Sequence, residues 1–227
     1  MTIPARLNHL DASAKAVMPA KLPESSLYAA WFKRPFDIAF VIAIAPILVP
    51  LVLILALAVL LTTGGNPFYM QERIGRNGRL YRMWKLRSMV PDADAALARL
   101  LAADPALAEE WASKQKLEND PRITGIGRLL RKTSMDELPQ FFNVLTGDMS
   151  LLGPRPMLPE QRNLYPGTDY YRLRPGISGP WQVSERNATT FADRARFDRA
   201  YLSKLTFAKD VSLLVATVRA VLRGTGC

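Results

Sequence analysis

Ile38-Ala39-Phe40-Val41-Ile42-Ala43-Ile44-Ala45-Pro46-Ile47-Leu48-Val49-Pro50-Leu51-Val52-Leu53-Ile54-Leu55-Ala56-Leu57-Ala58-Val59-Leu60-Leu61 is a run of 24 residues without a charge. As a helix rising 1.5 Å per residue it is roughly 36 Å long, enough to cross a hydrocarbon core of about 30 Å. It is too long, and begins too far from Met1, to read as a signal peptide. Two features argue against a simple span. Pro46 and Pro50 each remove a backbone hydrogen bond inside the run and favour a kink. Basic residues also flank both ends: Lys33 and Arg34 before it, then Arg73, Arg76, Arg79, Arg82, Lys85 and Arg87 after it. Around a spanning helix, lysine and arginine concentrate on the cytoplasmic side. Charge at both ends favours a broken, re-entrant helix that dips into one leaflet, over a kinked helix that spans.

The rest of the composition narrows the chemistry. A chain of 227 residues with a formal net charge of +10 can bury one good core and favours anionic partners. Charge alone leaves nucleic acid, anionic membrane lipids and phosphorylated substrates open. The single cysteine, Cys227, excludes an internal disulfide, and the single histidine, His9, argues against zinc sites and Ser-His-Asp catalysis. An enzyme with this composition works through carboxylates, lysine and arginine.

Outward from the apolar run, residues 1–32 carry Pro4, Pro19 and Pro23 and read as a mobile or interfacial leader. Gly64-Gly65-Asn66-Pro67 ends the run. Phe68 to Ile74 and Arg79 to Met89 read as strands of a hairpin around Asn77-Gly78, with Met83, Lys85, Arg87 and Met89 on one face. For Lys85 and Arg87 a solvated edge is the plain alternative. Pro91 to Ser113 has helical spacing, interrupted at Pro105. Leu138 to Leu145 is a short apolar helix with Gly147 as C-cap. Residues 153–182 are rich in Pro and Gly, as in a site-bearing loop. Phe191 to Arg223 is an amphipathic tail, either packed on the core or lying on a bilayer surface. The expected fold class is α+β, mainly helical with a small β-hairpin, an N-terminal re-entrant membrane helix over 33–63, and a body over 64–227.

The densest polar block is Arg131-Lys132-Thr133-Ser134-Met135-Asp136-Glu137-Leu138-Pro139-Gln140. Ser134 followed three residues later by Glu137 matches a capping box. The other register puts Asp136 at the N-cap and Pro139 inside the first turn. In both, the acids lie at a helix start, where the dipole favours their ionised forms and attracts phosphate oxygens. An ionised, poorly solvated carboxylate is a competent nucleophile. Arg128, Arg131, Arg155 and Arg174 are candidate diphosphate clamps, since guanidinium matches phosphate geometry. Arg155 stands out because Pro154 and Pro156 fix its backbone. No Walker-type loop and no Rossmann fingerprint occurs.

With these residues placed, the chain resembles the bacterial sugar transferase family, the monotopic polyprenyl-phosphate phosphoglycosyl transferases. The resemblance spans about residues 33 to 223. It rests on Lys33-Arg34-Pro35-Phe36-Asp37, Gln71-Glu72-Arg73-Ile74-Gly75, Lys85-Leu86-Arg87-Ser88-Met89 and Thr133-Ser134-Met135-Asp136-Glu137-Leu138-Pro139. Gly147-Asp148-Met149-Ser150, Gly153-Pro154-Arg155-Pro156 and Arg174-Pro175-Gly176-Ile177-Ser178-Gly179 follow in order.

The resemblance implies transfer of a sugar 1-phosphate from a UDP-sugar to undecaprenyl phosphate, with release of UMP, in exopolysaccharide or other glycoconjugate assembly. It makes Asp136 the nucleophile, through a phosphosugar-aspartyl intermediate, and Glu137, with Asp136, the Mg²⁺ ligand. Lys85, Arg87, Arg131, Arg155 and Arg174 become substrate-binding residues. It implies residence in the bacterial inner membrane, with residues 64–227 as a cytoplasmic catalytic domain and no nucleic-acid partner. Oligomeric state stays open, a homo-oligomer included. One departure is Ala45-Pro46, where the family carries Ser-Pro at the break of the re-entrant helix. The ending Gly224 to Cys227 leans towards galactose or glucose as the sugar. The competing non-enzyme reading is a membrane-anchored basic module that binds anionic lipid or nucleic acid without catalysis; a lipid-phosphate kinase or phosphatase is the competing enzyme.

Overall fold

A computed structural model describes residues 27–114, 117–184 and 190–222. Most of the expected leader and the Gly224–Cys227 ending lie outside the described residues. The apolar run forms one long helix, α1 (Lys33–Thr63), entered through a π-helical turn at Tyr28–Phe32. It stops at Gly64, whose φ of 66° is a left-handed conformation that costs glycine nothing. Pro46 and Pro50 both lie inside the helix.

Both ends of α1 pack on the same body. Near its start, Asp37 accepts hydrogen bonds from Ser150 Oγ at 2.7 Å and Leu151 N at 3.3 Å, while Val41 joins Val144 and Met149 in a buried cluster. Near its end, Ala56 and Val59 pack with Leu86 and Leu130. One strand links the two clusters, with Met83 in the first and Leu86 in the second. Between these anchors much of the helix surface is exposed, with Ile47 77% and Ile54 64% exposed.

The hairpin forms as expected, from β1 (Phe68–Ile74) and β2 (Leu80–Leu86) in antiparallel register, Tyr69 opposite Lys85 and Gln71 opposite Met83. Its connection places Asn77 and Gly78 at positive φ. The second strand ends three residues before its expected limit, so Arg87 and Met89 leave the strand face. Arg87 N instead donates to Pro67 O, and Met89 bridges to Ile123. Helices α2 (Ala93–Ala103) and α3 (Pro105–Lys114) divide at Pro105, and Asp104 Oδ1 accepts Ala106 N at 2.9 Å to cap the second.

Helix α4 (Gly125–Lys132) follows, with Thr124 Oγ1 accepting Gly127 N at 3.0 Å as its N-cap. Helix α5 (Gln140–Thr146) ends at Gly147, φ 91°. The Pro- and Gly-rich segment is more ordered than its composition suggests. The strand just before it, β3 (Ser150–Leu152), pairs in parallel with β4 (Gly176–Ser178) within it, and the short helix α6 (Asp169–Arg172) lies between them in the chain. The tail is two helices, α7 (Arg194–Ser203) and α8 (Phe207–Leu222). Leu213 of α8 enters the first buried cluster, whereas Val215 and Val218 stay exposed. A third cluster, of Ile74, Met157, Tyr165, Tyr170 and Tyr171, backs the hairpin tip.

Candidate active site

Between α4 and α5 the chain reverses through Ser134, which takes a left-handed φ of 56° and makes no side-chain cap. The capping-box reading is therefore corrected. Asp136 and Glu137 instead occupy a single 3₁₀ turn, Met135–Glu137, closed by Glu137 N on Ser134 O and Leu138 N on Met135 O. Pro139, which has no N–H to donate, ends this turn and begins the short helix after it.

This turn aims both carboxylates at one ammonium. Lys85 Nζ, from the end of β2, lies 2.9 Å from Glu137 Oε1 and 3.8 Å from Asp136 Oδ2. Their environments differ. Burial pushes the Asp136 carboxyl above its usual range, partly offset by Lys85, and the neighbouring Glu137 charge adds to the rise. Burial also acts on Glu137, but Lys85, Arg155 and Arg73 outweigh it and hold that carboxyl below its usual range. The expectation that both acids would have their ionised forms favoured is thus met by Glu137 and corrected for Asp136, where desolvation dominates. Two adjacent acids with proton affinities pushed apart are suited to unequal roles.

The pair opens into a cavity of about 640 Å³. Lys85, Arg87, Arg131, Asp136, Glu137 and Arg155 all line it. Arg131, in the last turn of α4, is fixed by its Nε donating to Ser88 Oγ at 2.9 Å. Arg155 follows β3, and its strap is held where Gly153 N donates to Ser178 O and Gly176 N to Pro154 O, each pulling the loop onto β4. Arg87 sits by Gly65, where a side chain would meet its Nη1 at 3.0 Å.

Two sequence candidates are not brought to this cavity. Arg128 is exposed on the outer side of α4. Arg174 turns to the end of α5, its Nε donating to Gly147 O at 2.8 Å. Other residues join the lining without having been anticipated. Tyr69 and Gln71 line it from β1, on the face that carries Lys85, as period-two spacing on a paired hairpin requires. Trp181 forms a further wall, with the Arg155 guanidinium 5.6 Å and that of Arg194 4.3 Å from its ring centre. Burial and the nearby Arg155 charge bring Arg194 down to about 10. No spacing rule marked Trp181, because it comes from an irregular segment.

The donor set can be compared with a metal. Among the described residues no group of three or more acidic, histidine or cysteine side chains is arranged to hold an ion. Mg²⁺ does not need one, since it is commonly bound by one or two carboxylates together with substrate phosphates and water. Asp136 and Glu137, already converging on a cation, fit that pattern.

Two carboxylates on a lysine within an arginine-rimmed cavity are suited to phosphate chemistry, and the same chain carries an apolar helix of membrane-spanning length. The sequence matches the bacterial sugar transferase family over residues 28–224. The chain belongs to that family. Among its relatives, the undecaprenyl-phosphate galactose phosphotransferase of Salmonella typhimurium is 46% identical over 198 residues, covering 86% of this chain and 41% of that protein. The exopolysaccharide production protein ExoY of Sinorhizobium fredii is 39% identical over 196 residues, covering 86% and 87% respectively. A UDP-N-acetylgalactosamine-undecaprenyl-phosphate N-acetylgalactosaminephosphotransferase from Aeromonas hydrophila is 35% identical over 213 residues. This sugar transferase therefore spans about two fifths of the Salmonella protein and most of the ExoY protein. Its 36-residue apolar helical stretch, Tyr28–Thr63, is long enough to cross a bilayer and suggests membrane association.

Proposed function

We propose that this chain transfers a sugar 1-phosphate from a UDP-sugar to undecaprenyl phosphate, releasing UMP and initiating exopolysaccharide assembly. The observation that carries the reading is the Asp136–Lys85–Glu137 group facing a cavity rimmed by Arg87, Arg131 and Arg155. The family and the names of its relatives supply the substrate class.

In the first step an Asp136 carboxylate oxygen attacks the sugar-bearing phosphorus of the UDP-sugar. A P–O bond forms to Asp136, and the bond to the other phosphate breaks, so that UMP leaves with the electron pair. In the second step an oxygen of polyprenyl phosphate attacks the same phosphorus and the Asp136 carboxylate is released. Burial favours this role because a poorly hydrated carboxylate is a stronger nucleophile once ionised. Lys85 and the arginines bind and orient the diphosphate and stabilise charge that builds on its oxygens. Mg²⁺ held by Glu137, with Asp136, would add neutralisation of the diphosphate.

The membrane segment is read as a dip into the cytoplasmic leaflet, with the catalytic body on the cytoplasmic face. Pro46 and Pro50 at mid-helix, and the packing of both helix ends on one body, support this. A lipid acceptor then needs to reach only the rim of the bilayer. The sugar is read as galactose or glucose, in keeping with the galactose named in the Salmonella relative.

The test is a UMP-release assay in nanodiscs with undecaprenyl phosphate, Mg²⁺ and a panel of UDP-sugars. Release of UMP that is lost in Asp136→Asn is the expected result. Inorganic phosphate as the product, or undiminished turnover by Asp136→Asn, would overturn it.

A further inference from the structure

Away from the cavity, three half-buried guanidiniums gather at the carboxyl end of α5. Arg34, in the first turn of α1, donates from Nη1 to Val144 O and, at 3.0 Å, from Nη2 to Leu145 O. Its Nη2 also stands 3.4 Å from where a side chain on Gly147 would begin, and Arg174 Nε donates to the carbonyl of that same glycine at 2.8 Å. Arg76, on the hairpin tip, has a buried Nε with no hydrogen-bond partner. Burial and then the charge of Arg174 hold the Arg76 guanidinium below its usual range, so the two charges are close enough to repel.

No acid among the described residues forms an ion pair with any of the three. The charges of Asp37 and Asp148 reach Arg34 and favour its charged form, but neither acid comes within ion-pair distance of it: Asp148 accepts from Thr146 Oγ1 at 2.8 Å, and Asp37 from Ser150. The open carbonyls of one short helix account for some of this positive charge. They do not account for a third arginine, or for the terminal nitrogens of Arg174, which meet no acceptor among the described residues.

The position of the cluster identifies the missing anion. Arg34 precedes the uncharged stretch by only a few residues, so it sits where the chain enters the bilayer, at headgroup depth. Exposed apolar residues lie on the same segments: Trp31 and Phe32 just before Arg34, Leu145, whose carbonyl Arg34 holds, and Leu80 at the start of the strand after Arg76. Exposed apolar residues on the segments that carry guanidiniums without an ion-pair partner suit a lipid whose tails lie in the leaflet and whose phosphate reaches the arginines.

We propose that Arg34, Arg76 and Arg174 form a binding site for the phosphate of an anionic bilayer phospholipid, separate from the catalytic cavity. This rests on the membrane-inserted reading of α1 but not on the identity of the reaction. The site ties the hairpin tip, the α5–β3 turn and the start of the membrane helix to one headgroup, which sets how the body sits on the bilayer.

The test uses the full chain in neutral detergent, with bound lipid counted by native mass spectrometry during titration with phosphatidylglycerol or phosphatidylcholine. Wild type should retain phosphatidylglycerol in preference to phosphatidylcholine, and Arg76→Gln should lower that occupancy at least threefold. Arg196→Gln, a change on the exposed side of α7, should leave it intact. Equal retention by Arg76→Gln and wild type, or equal loss in Arg196→Gln, would overturn the site. So would displacement of the lipid by millimolar inorganic phosphate, because the site would then take free anion. UMP release by wild type and Arg76→Gln is measured in parallel. If neither releases UMP, the proposed reaction fails while the lipid result stands or falls separately.

Discussion

Lys85 Nζ lies 2.9 Å from Glu137 Oε1 and 3.8 Å from Asp136 Oδ2, so a single cation on the hairpin holds both acids of the 3₁₀ turn. The shorter contact ties Glu137 down and leaves Asp136 the freer of the two. Replacing Lys85 by methionine removes the charge and keeps the stem. UMP release should fall on the order of 10²-fold, the usual cost of losing one preorganised group in a low-dielectric site. A loss below tenfold would show that the arginines alone position the diphosphate.

The same triangle sets the pH dependence. Burial raises the proton affinity of Asp136, Lys85 lowers it and Glu137 raises it. Attack requires the ionised carboxylate. Activity should therefore rise with pH through an acid limb lying above the ordinary carboxylate range. Lys85→Met should move that limb to higher pH, and Glu137→Gln should move it to lower pH. Rate profiles of the residual activity of each variant check this. Shifts in the same direction would remove Asp136 from the role.

How far these features were legible depends on how local their causes are. The hairpin was readable because Asn77 and Gly78 accept positive φ, and α5 had a readable end because Gly147 does. Pro105 divided α2 from α3 for an equally local reason. Ser134 defeated the capping-box reading because its backbone is left-handed, a conformation that serine rarely takes and that nothing in its sequence neighbours signals. The strands β3 and β4 are three residues each, too short for alternation to show, and their pairing joins segments 26 residues apart at Ser150 and Gly176. Arg155 was legible from its flanking prolines. Arg174 shared its residue type and its proline neighbour, but its destination depended on where Gly147 lay in space.

Asp210 anchors the start of α1 to α8. It is fully buried and accepts from Lys33 Nζ at 2.7 Å, Tyr28 Oη at 2.8 Å and Tyr201 Oη at 2.6 Å. Asp210→Ala leaves a mostly buried ammonium and two hydroxyls without their acceptor. Breaking such a pair costs about 3–5 kcal/mol. For a chain of this size that is a fall in Tm of roughly 6–20 °C. Thermal unfolding in detergent micelles measures it. Glu109→Ala, at an exposed acid on α3, should be silent by comparison.

Two glycines in α4 give opposite expectations. A Cβ on Gly127 would meet Ser88 O at 1.9 Å and Thr124 Oγ1 at 2.8 Å, whereas one on Gly125 would meet nothing within 4 Å. Backbone cannot yield as a flexible side chain can. Gly127→Ala should thus push α4 off the tail of β2, shift Ser88 and the Arg131 it holds, lower Tm and raise KM for the UDP-sugar. Gly125→Ala should be neutral or slightly stabilising. Equal stability of the two variants would mean that the contact between α4 and Ser88 is looser than these distances state.

Asp198 supplies the clearest pH-linked contribution to stability. It is 3% exposed, and burial pushes its carboxyl from the ordinary 3.8 up to about 7, despite a hydrogen bond from Tyr165 Oη at 2.8 Å and the charge of Arg194. Between those two values the native state binds a proton that the unfolded chain has released. Stability from this group is full below about pH 4 and declines as pH rises to about 7, by about 4 kcal/mol at most. Asp198→Asn stays neutral throughout and keeps an oxygen for Tyr165. Its Tm should therefore come closest to wild type near pH 4 and exceed it by a widening margin up to pH 8. Asp136 contributes the same slope to both proteins, so the widening gap between the two Tm curves isolates Asp198. A constant gap across that range would show that Asp198 is ionised throughout, held so by Arg194.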